Sequence, residues 1–368
     1  MKTENSFELS TTNMTIKSKF SEVIKTAIYV HKKNILLLSI ISLLVSCNQN
    51  ANNSNKNAGN SDSSKKASLD STAADLLKTM TPEQIKDSLA KNPSLFIKVA
   101  GNQLKWEAPV EPTHIAGPIY FVGTAGLSSF LITTPKGHIL LYTGMSTSGP
   151  MIEKSINKLG FNPADIKILL TGHAHIDHVG GHAYLKKISG AQVVMIDSEK
   201  DLIESGGKTD FHYASYPEFL FEPVKVDRIL HDGDKVSLGG ITMTALHTPG
   251  HTKGGTTWIM DIVENGKKYN VVFPDGTSIN PGYRISIKPS YPGIEENYAG
   301  TLKILGELKP DIWLSSHTDF FDFEEKRKLA ETKGVTAYVD PEGYRKRIAS
   351  EKDHFEAILE EENNVTNK

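Results

Sequence analysis

The stretch TGHAHIDHVGG, Thr171 to Gly181, sets His173, His175, Asp177 and His178 within six residues. It follows IKILL, Ile166–Leu170, an apolar run that reads as a buried strand, so the cluster sits where a strand ends. In a strand-end loop, residues two apart point the same way, and His173 and His175 can converge on one metal ion. Asp177 and His178 are adjacent and diverge, so the spacing fits two neighbouring sites better than one. Imidazole and carboxylate donors suit Zn²⁺, and a catalytic zinc takes three protein ligands and leaves a position for water.

Each half needs partners from distant sequence. TALHTPGHTKGG, Thr244–Gly255, offers His247 and His251, and DIWLSSHTDFF, Asp311–Phe321, offers His317. His251 lies in a Pro-Gly turn and His317 at the exit of an apolar strand, which suits loop ligands. His247 falls inside a strand and reads as a packed or supporting residue. His114, His138, His182, His212, His231 and His354 have no ligand-like context and read as surface or core histidines.

Working outward, the pattern is β-rich from Pro118, with a helix at Gly149–Leu159, the motif strand, a helix from Gly181 to Ile188 and the strand AQVVMI. Later come the strands GDKVSLGG, ITMTALH and TTWIMDI, an Asn265-Gly266 hairpin turn, a helix near Glu296–Leu308, the strand DIWLSS and a helix from Pro341 to Glu361. Two β-rich blocks, each with helices and no linker between them, predict a layered α/β sandwich.

The chain has 368 residues, 38% hydrophobic, with 41 Lys plus Arg against 43 Asp plus Glu and a net charge of −2. That is enough for a sizeable core, and the balance argues against nucleic acid or another polyanion as a partner. The single cysteine, Cys47, closes Leu44-Val45-Ser46-Cys47 after the apolar run Ile35–Val45. The run is too short to span a bilayer but right for a signal peptide. Its end resembles a bacterial lipobox, which implies residues 1–46 as a signal peptide and lipid attachment at Cys47. Residues 47–67 then form an Asn/Ser-rich tether and 68–103 a helical lead-in. Within that lead-in Thr81, Pro82 and Gln84 read as a capped helix start. The main domain follows at 104–362, with a tail at 363–368. The resulting expectation is a protein anchored to the bacterial membrane through lipidated Cys47, facing the periplasm.

His-x-His-x-Asp-His, the TPGHT turn and a late strand-end histidine together resemble the metallo-β-lactamase superfamily. GLSSFLITT, DGDKVSLGG, INPGYR and DPEGYR make the likeness specific to its third subclass, over roughly Trp106 to Phe355. The resemblance implies a four-layer αβ/βα sandwich holding two zinc ions. His173, His175 and His251 would hold the first, and Asp177, His178 and His317 the second. It also implies hydrolysis of a β-lactam, a small-molecule substrate, by a hydroxide shared between the zincs and oriented by the catalytic Asp177. The other two subclasses place a cysteine on the second zinc; the folded part of this chain has none, and His178 takes that place as in the third.

Two departures from the family pattern stand out. Tyr142-Thr143-Gly144 occupies the place of an Asp-Thr-Gly whose acid supports the metal site. Gly276-Thr277-Ser278 replaces a Ser-x-Ser that contacts the substrate carboxylate, leaving Thr277 and Ser278 as the substrate-binding hydroxyls. The rival reading is another hydrolase of this fold, a glyoxalase-like thioesterase or a lactonase. Those bridge both metals with an aspartate from the strand where VVFPDG lies, and Asp275 sits there. Its Asp-Gly context reads instead as a turn.

Overall fold

The computed structural model describes residues 81–366. The signal peptide, Cys47, the tether and the first part of the lead-in lie outside these residues. Two short helices open the described chain, α1 (Pro82–Lys91) and α2 (Pro93–Gln103). Thr81 and Gln84 form the expected capping box. One continuous lead-in helix is ruled out between them by Pro93, which has no N–H to donate, and the Asn92 side chain caps the second helix by accepting from the Leu95 N–H.

A first sheet takes β1 (Thr113–Ala116), β2 (Ile119–Phe121), β3 (Phe130–Thr134) and β4 (Gly137–Leu141), then β5 (Ile166–Leu170), β6 (Gln192–Ile196) and β7 (Arg228–Leu230), in that order. The first four pair antiparallel. The strands from β4 to β7 run parallel, joined by crossovers carrying α3 (Ser148–Lys158), α4 (Ile176–Val179), α5 (His182–Ser189) and α6 (Lys200–Glu204). A second sheet has the order β12-β11-β10-β9-β8. Its members are β8 (Lys235–Leu238), β9 (Ile241–His247), β10 (Thr256–Glu264), β11 (Lys267–Phe273) and β12 (Ile312–Trp313). The β10–β11 hairpin turns at Asn265-Gly266, both in the left-handed region with φ of 51° and 77°. That is the geometry an Asn-Gly turn favours.

Parity along the parallel strands builds two cores. Ile139, Leu141, Ile168 and Leu170 face inward, meeting Phe130, Trp258, Met260 and Phe273 between the sheets. Leu140, Leu169 and Val193 face outward, onto Ile152 and Ile156 of α3 and Leu185 of α5. Strands buried on both faces read as unbroken apolar runs, which is why IKILL carries so little alternation. On the second sheet's side, α7 (Ile294–Glu307) packs with α9 (Pro341–Thr366), whose Tyr344 hydroxyl donates to the Leu305 carbonyl, and α9 lies against β12. With α8 (Phe323–Lys333), these elements complete the expected helix–sheet–sheet–helix layering. The C-terminal ends of β5, β9, β11 and β12 collect along one edge of the sandwich, each delivering a loop to the same place.

Candidate metal centre

At that edge the donor atoms of His173, His175 and His251 lie within 4.8 Å of one another, all buried. The second cluster of this kind joins His173 to Asp177 and His178. Asp177 Oδ2 is 3.2 Å from His178 Nε2 and 3.4 Å from His317 Nε2, so His317 reaches the same carboxylate from the far sheet. The adjacent Asp177 and His178, expected to diverge, converge because the chain turns into α4 there. His317 gets there because the chain after β12 leaves the second sheet. The Ser128 N–H donates to the Ser316 carbonyl, and His317 forms an isolated bridge with Leu127. His173, His175, Asp177, His251 and His317 line the floor of a cavity of about 840 Å³.

Each imidazole of the first cluster is turned by a partner behind it. His173 Nδ1 donates to Asp275 Oδ1 at 2.8 Å, which leaves its buried Nε2 with no protein partner. His175 Nε2 donates to Asp210 Oδ2 at 3.1 Å, and His251 Nδ1 donates to the Ser278 carbonyl at 2.7 Å. With both protons drawn to the rear, His175 Nδ1 and His251 Nε2 face each other as lone pairs 3.0 Å apart. Two acceptor nitrogens that close repel unless a cation lies beside them, so the residues present fit a bound metal ion. The donors are imidazole and carboxylate, which suits zinc.

The electrostatics favour neutral donors at three of the four buried histidines of these clusters. Burial, and next the charges of neighbouring histidines, push His173, His178 and His251 well below the ordinary imidazole range, so they stand neutral and ligand-competent. For His175 burial also pushes down, but the hydrogen bond and charge of Asp210 outweigh it and raise the pKa. Burial would raise Asp210 in turn; His175 and the N–H groups of Tyr213 and His212 bring it down to about 2.

A carboxylate that sequence patterns do not single out braces the whole arrangement. Buried Glu199 accepts the Ala174 N–H at 2.7 Å on one oxygen and the Gly254 N–H at 2.8 Å on the other. It thereby ties the His173–His175 loop to the loop bearing His251. Burial lifts its pKa to about 7. His247, as expected, stays out of the clusters, its Nε2 bonded to the Lys253 carbonyl at 2.9 Å. His182 is a core histidine, hydrogen-bonded through Nδ1 to Thr143 Oγ1 at 2.7 Å.

A family model for the metallo-β-lactamase superfamily matches residues 122–259. Among solved structures, the FEZ-1 metallo-β-lactamase of Legionella gormanii is 41% identical with a TM-score of 0.68, the match covering 70% of this chain and 98% of that one. The class B3 di-zinc metallo-β-lactamase LRA-12, from an Alaskan soil metagenome, is 35% identical with a TM-score of 0.64, covering 69% of this chain and 96% of that one. The chain belongs to the metallo-β-lactamase superfamily. Its structural neighbours include subclass B3 metallo-β-lactamases, which are hydrolases. Curated relatives match over shorter stretches, the chain spanning 32% to 61% of the length of the first of them. They include the hydroxyacylglutathione hydrolase GloC of Haemophilus influenzae, 32% identical over 114 residues, which are 29% of this chain and 50% of that one.

Against the superfamily pattern, three positions are informative. Asp275 is not merely a turn residue: it is buried, grips His173 from behind and also accepts the Gly276 N–H at 2.7 Å. Burial raises its pKa to about 6. Its close approach depends on Gly172, where a Cβ would stand 2.0 Å from Asp275 Oδ2. Gly276 has φ +89°, and a Cβ there would lie 1.9 Å from the Thr248 carbonyl oxygen, so this backbone admits no side chain at that position. Thr277 and Ser278 are half-buried in the cavity wall, with Ser278 Oγ 3.2 Å from His251 Nδ1. Tyr142, in the place of the expected acid, is fully buried at φ +63° with its ring tilted against His178. Burial, then the Asp275 carboxylate beside it, hold its phenol well above the usual range and therefore protonated.

Proposed function

We propose that this protein is a zinc-dependent β-lactam hydrolase conferring antibiotic resistance. The observation that carries this is a pair of adjoining donor sets, free of thiolate, with lone pairs turned inward toward a roomy cavity. In this reading His173, His175 and His251 hold one zinc, and Asp177, His178 and His317 hold the other. Zinc held there supplies Lewis acidity toward a carbonyl oxygen and makes water acidic enough to attack near neutral pH. Asp177 is the one carboxylate among the donors and orients the attacking water through its acceptor oxygens. Thr277 and Ser278 offer hydroxyls to the substrate carboxylate at the cavity wall. No separate nucleophile or base is required of the chain. Through lipidated Cys47 the enzyme would sit on the periplasmic face of a membrane, where it meets antibiotics before they reach the cell-wall enzymes. That placement rests on the sequence.

A thioesterase reading draws support from the relative named as a hydroxyacylglutathione hydrolase. It needs a metal-bridging acid after β11. Asp275 instead sets Oδ1 on His173 Nδ1, behind the donor clusters, and Gly276 leaves no room for another acid. Hydrolysis of nitrocefin, S-lactoylglutathione and a simple lactone by the zinc-loaded protein separates the readings. EDTA-sensitive turnover of nitrocefin is expected, and turnover of only the thioester or lactone overturns the proposal.

A further inference from the structure

Beyond the metal centre the cavity is bounded on one side by Phe96 and Ile97 of α2. On the others it meets the segment Ser278–Ile287 and the inner face of α9 at Ile348 and Ile358. The near end of the middle wall is tied to the centre itself: the Tyr283 hydroxyl donates to the His251 carbonyl at 3.1 Å, and the His251 ring donates to the Ser278 carbonyl. Its far end is held by a single side chain, Glu362, in the last turns of α9. Glu362 Oε1 accepts the Ile285 N–H at 2.8 Å. Oε2 accepts the N–H groups of Ser286 and Ile287, each at 2.8 Å, and the Ser286 hydroxyl at 3.1 Å. These donors lie 75 to 77 residues away in sequence.

Four donors on one carboxylate fix position far more firmly than a surface ion pair does. The neighbouring Glu361 makes such a pair, with Lys86 of α1 on the opposite wall. Adjacent acids thus hold both sides of the cavity mouth, with Glu362 the stronger arm. Inside the loop the Arg284 N–H donates to Ser290 Oγ, the Ser290 N–H to the Arg284 carbonyl, and Arg284 Nε to the Ile287 carbonyl. The loop is therefore internally braced, so a shift at 285–287 is passed to Arg284 and Tyr283, which line the cavity.

We propose that Glu362 is a positioning residue for substrate binding, which sets the Tyr283–Ile287 stretch of the cavity wall before substrate arrives. It contacts neither the donor clusters nor the reacting atoms, so its effect falls on KM and spares kcat. The inference rests on the hydrolase reading for its choice of substrate, but not for its geometry.

The test compares full-length, zinc-loaded wild type with Glu362→Ala and Glu362→Gln. Measurements are amide hydrogen exchange over residues 278–290, zinc content, and KM and kcat for nitrocefin. In Glu362→Ala, exchange at 285–287 quickens and KM rises about tenfold, with kcat within about twofold and zinc unchanged. Glu362→Gln falls between, because its carbonyl oxygen can replace the crowded Oε2 while its NH₂ group faces the Ile285 N–H. Unchanged exchange overturns the proposal. So does faster exchange with KM unmoved, which would make the contact merely structural, and so does a loss confined to kcat or zinc. If the wild type turns over only a thioester or lactone, the β-lactam reading has failed. The same exchange and KM comparison on that substrate then decides the role of Glu362.

Discussion

Replacing Asp275 separates three accounts of one residue: a turn former, a metal bridge, or the anchor of His173. The structure favours the anchor, since Asp275 Oδ1 lies 2.8 Å from the far nitrogen of His173, the one turned away from the donor clusters. Removing the carboxylate in Asp275→Ala leaves the His173 Nδ1–H unpaired in a buried site, which costs about 1–3 kcal/mol. Loss of an outer partner of a metal-bound histidine typically costs about 10–100-fold in affinity. At about 1.4 kcal/mol per tenfold that is about 1.4–2.8 kcal/mol, so the two scales agree. Asp275→Asn keeps a neutral acceptor for Nδ1–H and is expected near the lower end, about tenfold. Zinc affinity, read by competition with a chromophoric chelator, should fall by these factors at the ion held by His173, His175 and His251, with kcat/KM for nitrocefin following it. His178→Ala, which removes a donor outright, should be worse than either. If Asp275→Ala leaves zinc affinity within about twofold, the anchor account is refuted and the turn reading restored. If it weakens both zincs together, Asp275 is a bridge and the thioesterase reading gains.

The remaining predictions concern the scaffold around the donors. Restoring the family serine in Gly276→Ser should destabilise the fold, by about 1–2 kcal/mol for the left-handed backbone alone. The Cβ contact with the Thr248 oxygen adds to that, and urea denaturation of the zinc-free protein measures the sum. Glu199→Gln retains one acceptor for the Ala174 and Gly254 N–H groups where the carboxylate has two, so it should cost about 1–3 kcal/mol and lower zinc affinity, both read by titration. Burial holds His182 neutral with a pKa of about 3, against 6.5 when exposed. The stability it contributes is complete above pH 6.5 and is lost as pH falls toward 3, by up to about 1.4 kcal/mol per pH unit, because the unfolded chain takes the proton first. The pH slope of stability below 6.5 should therefore be shallower in His182→Gln by about one proton. Chelation should abolish turnover and also lower Tm, since a metal held by the folded donors stabilises the folded chain over the unfolded one, and added zinc should reverse both.

What the sequence made legible, and what it hid, follows from how local each signal is. His173, His175, Asp177 and His178 announce themselves because four donor side chains share one strand exit, and His251 because a Pro-Gly turn marks it. The strands were readable for a similar reason: parity and glycine punctuation act over a few residues, as the positive φ angles of Asn265 and Gly266 confirm. The supports could not be read that way. Asp210 meets His175 across 35 residues, and Glu199 meets Ala174 across 25 and Gly254 across 55. A lone acid in a loop has no pattern until the loops meet. Asp275 shows the two scales in conflict: Asp-Gly is a turn signal and the backbone does turn at Gly276, yet the side chain is buried against His173. DIWLSS reads as one strand but pairs as such only at Ile312–Trp313. The following residues cross toward the other sheet, and that crossing delivers His317 to Asp177. Backbone regularity thus gives way at the points where two distant loops must present their side chains to one centre. A reading built on periodicity will recover the layers of such a fold and the donors that cluster, and will miss the residues that aim them.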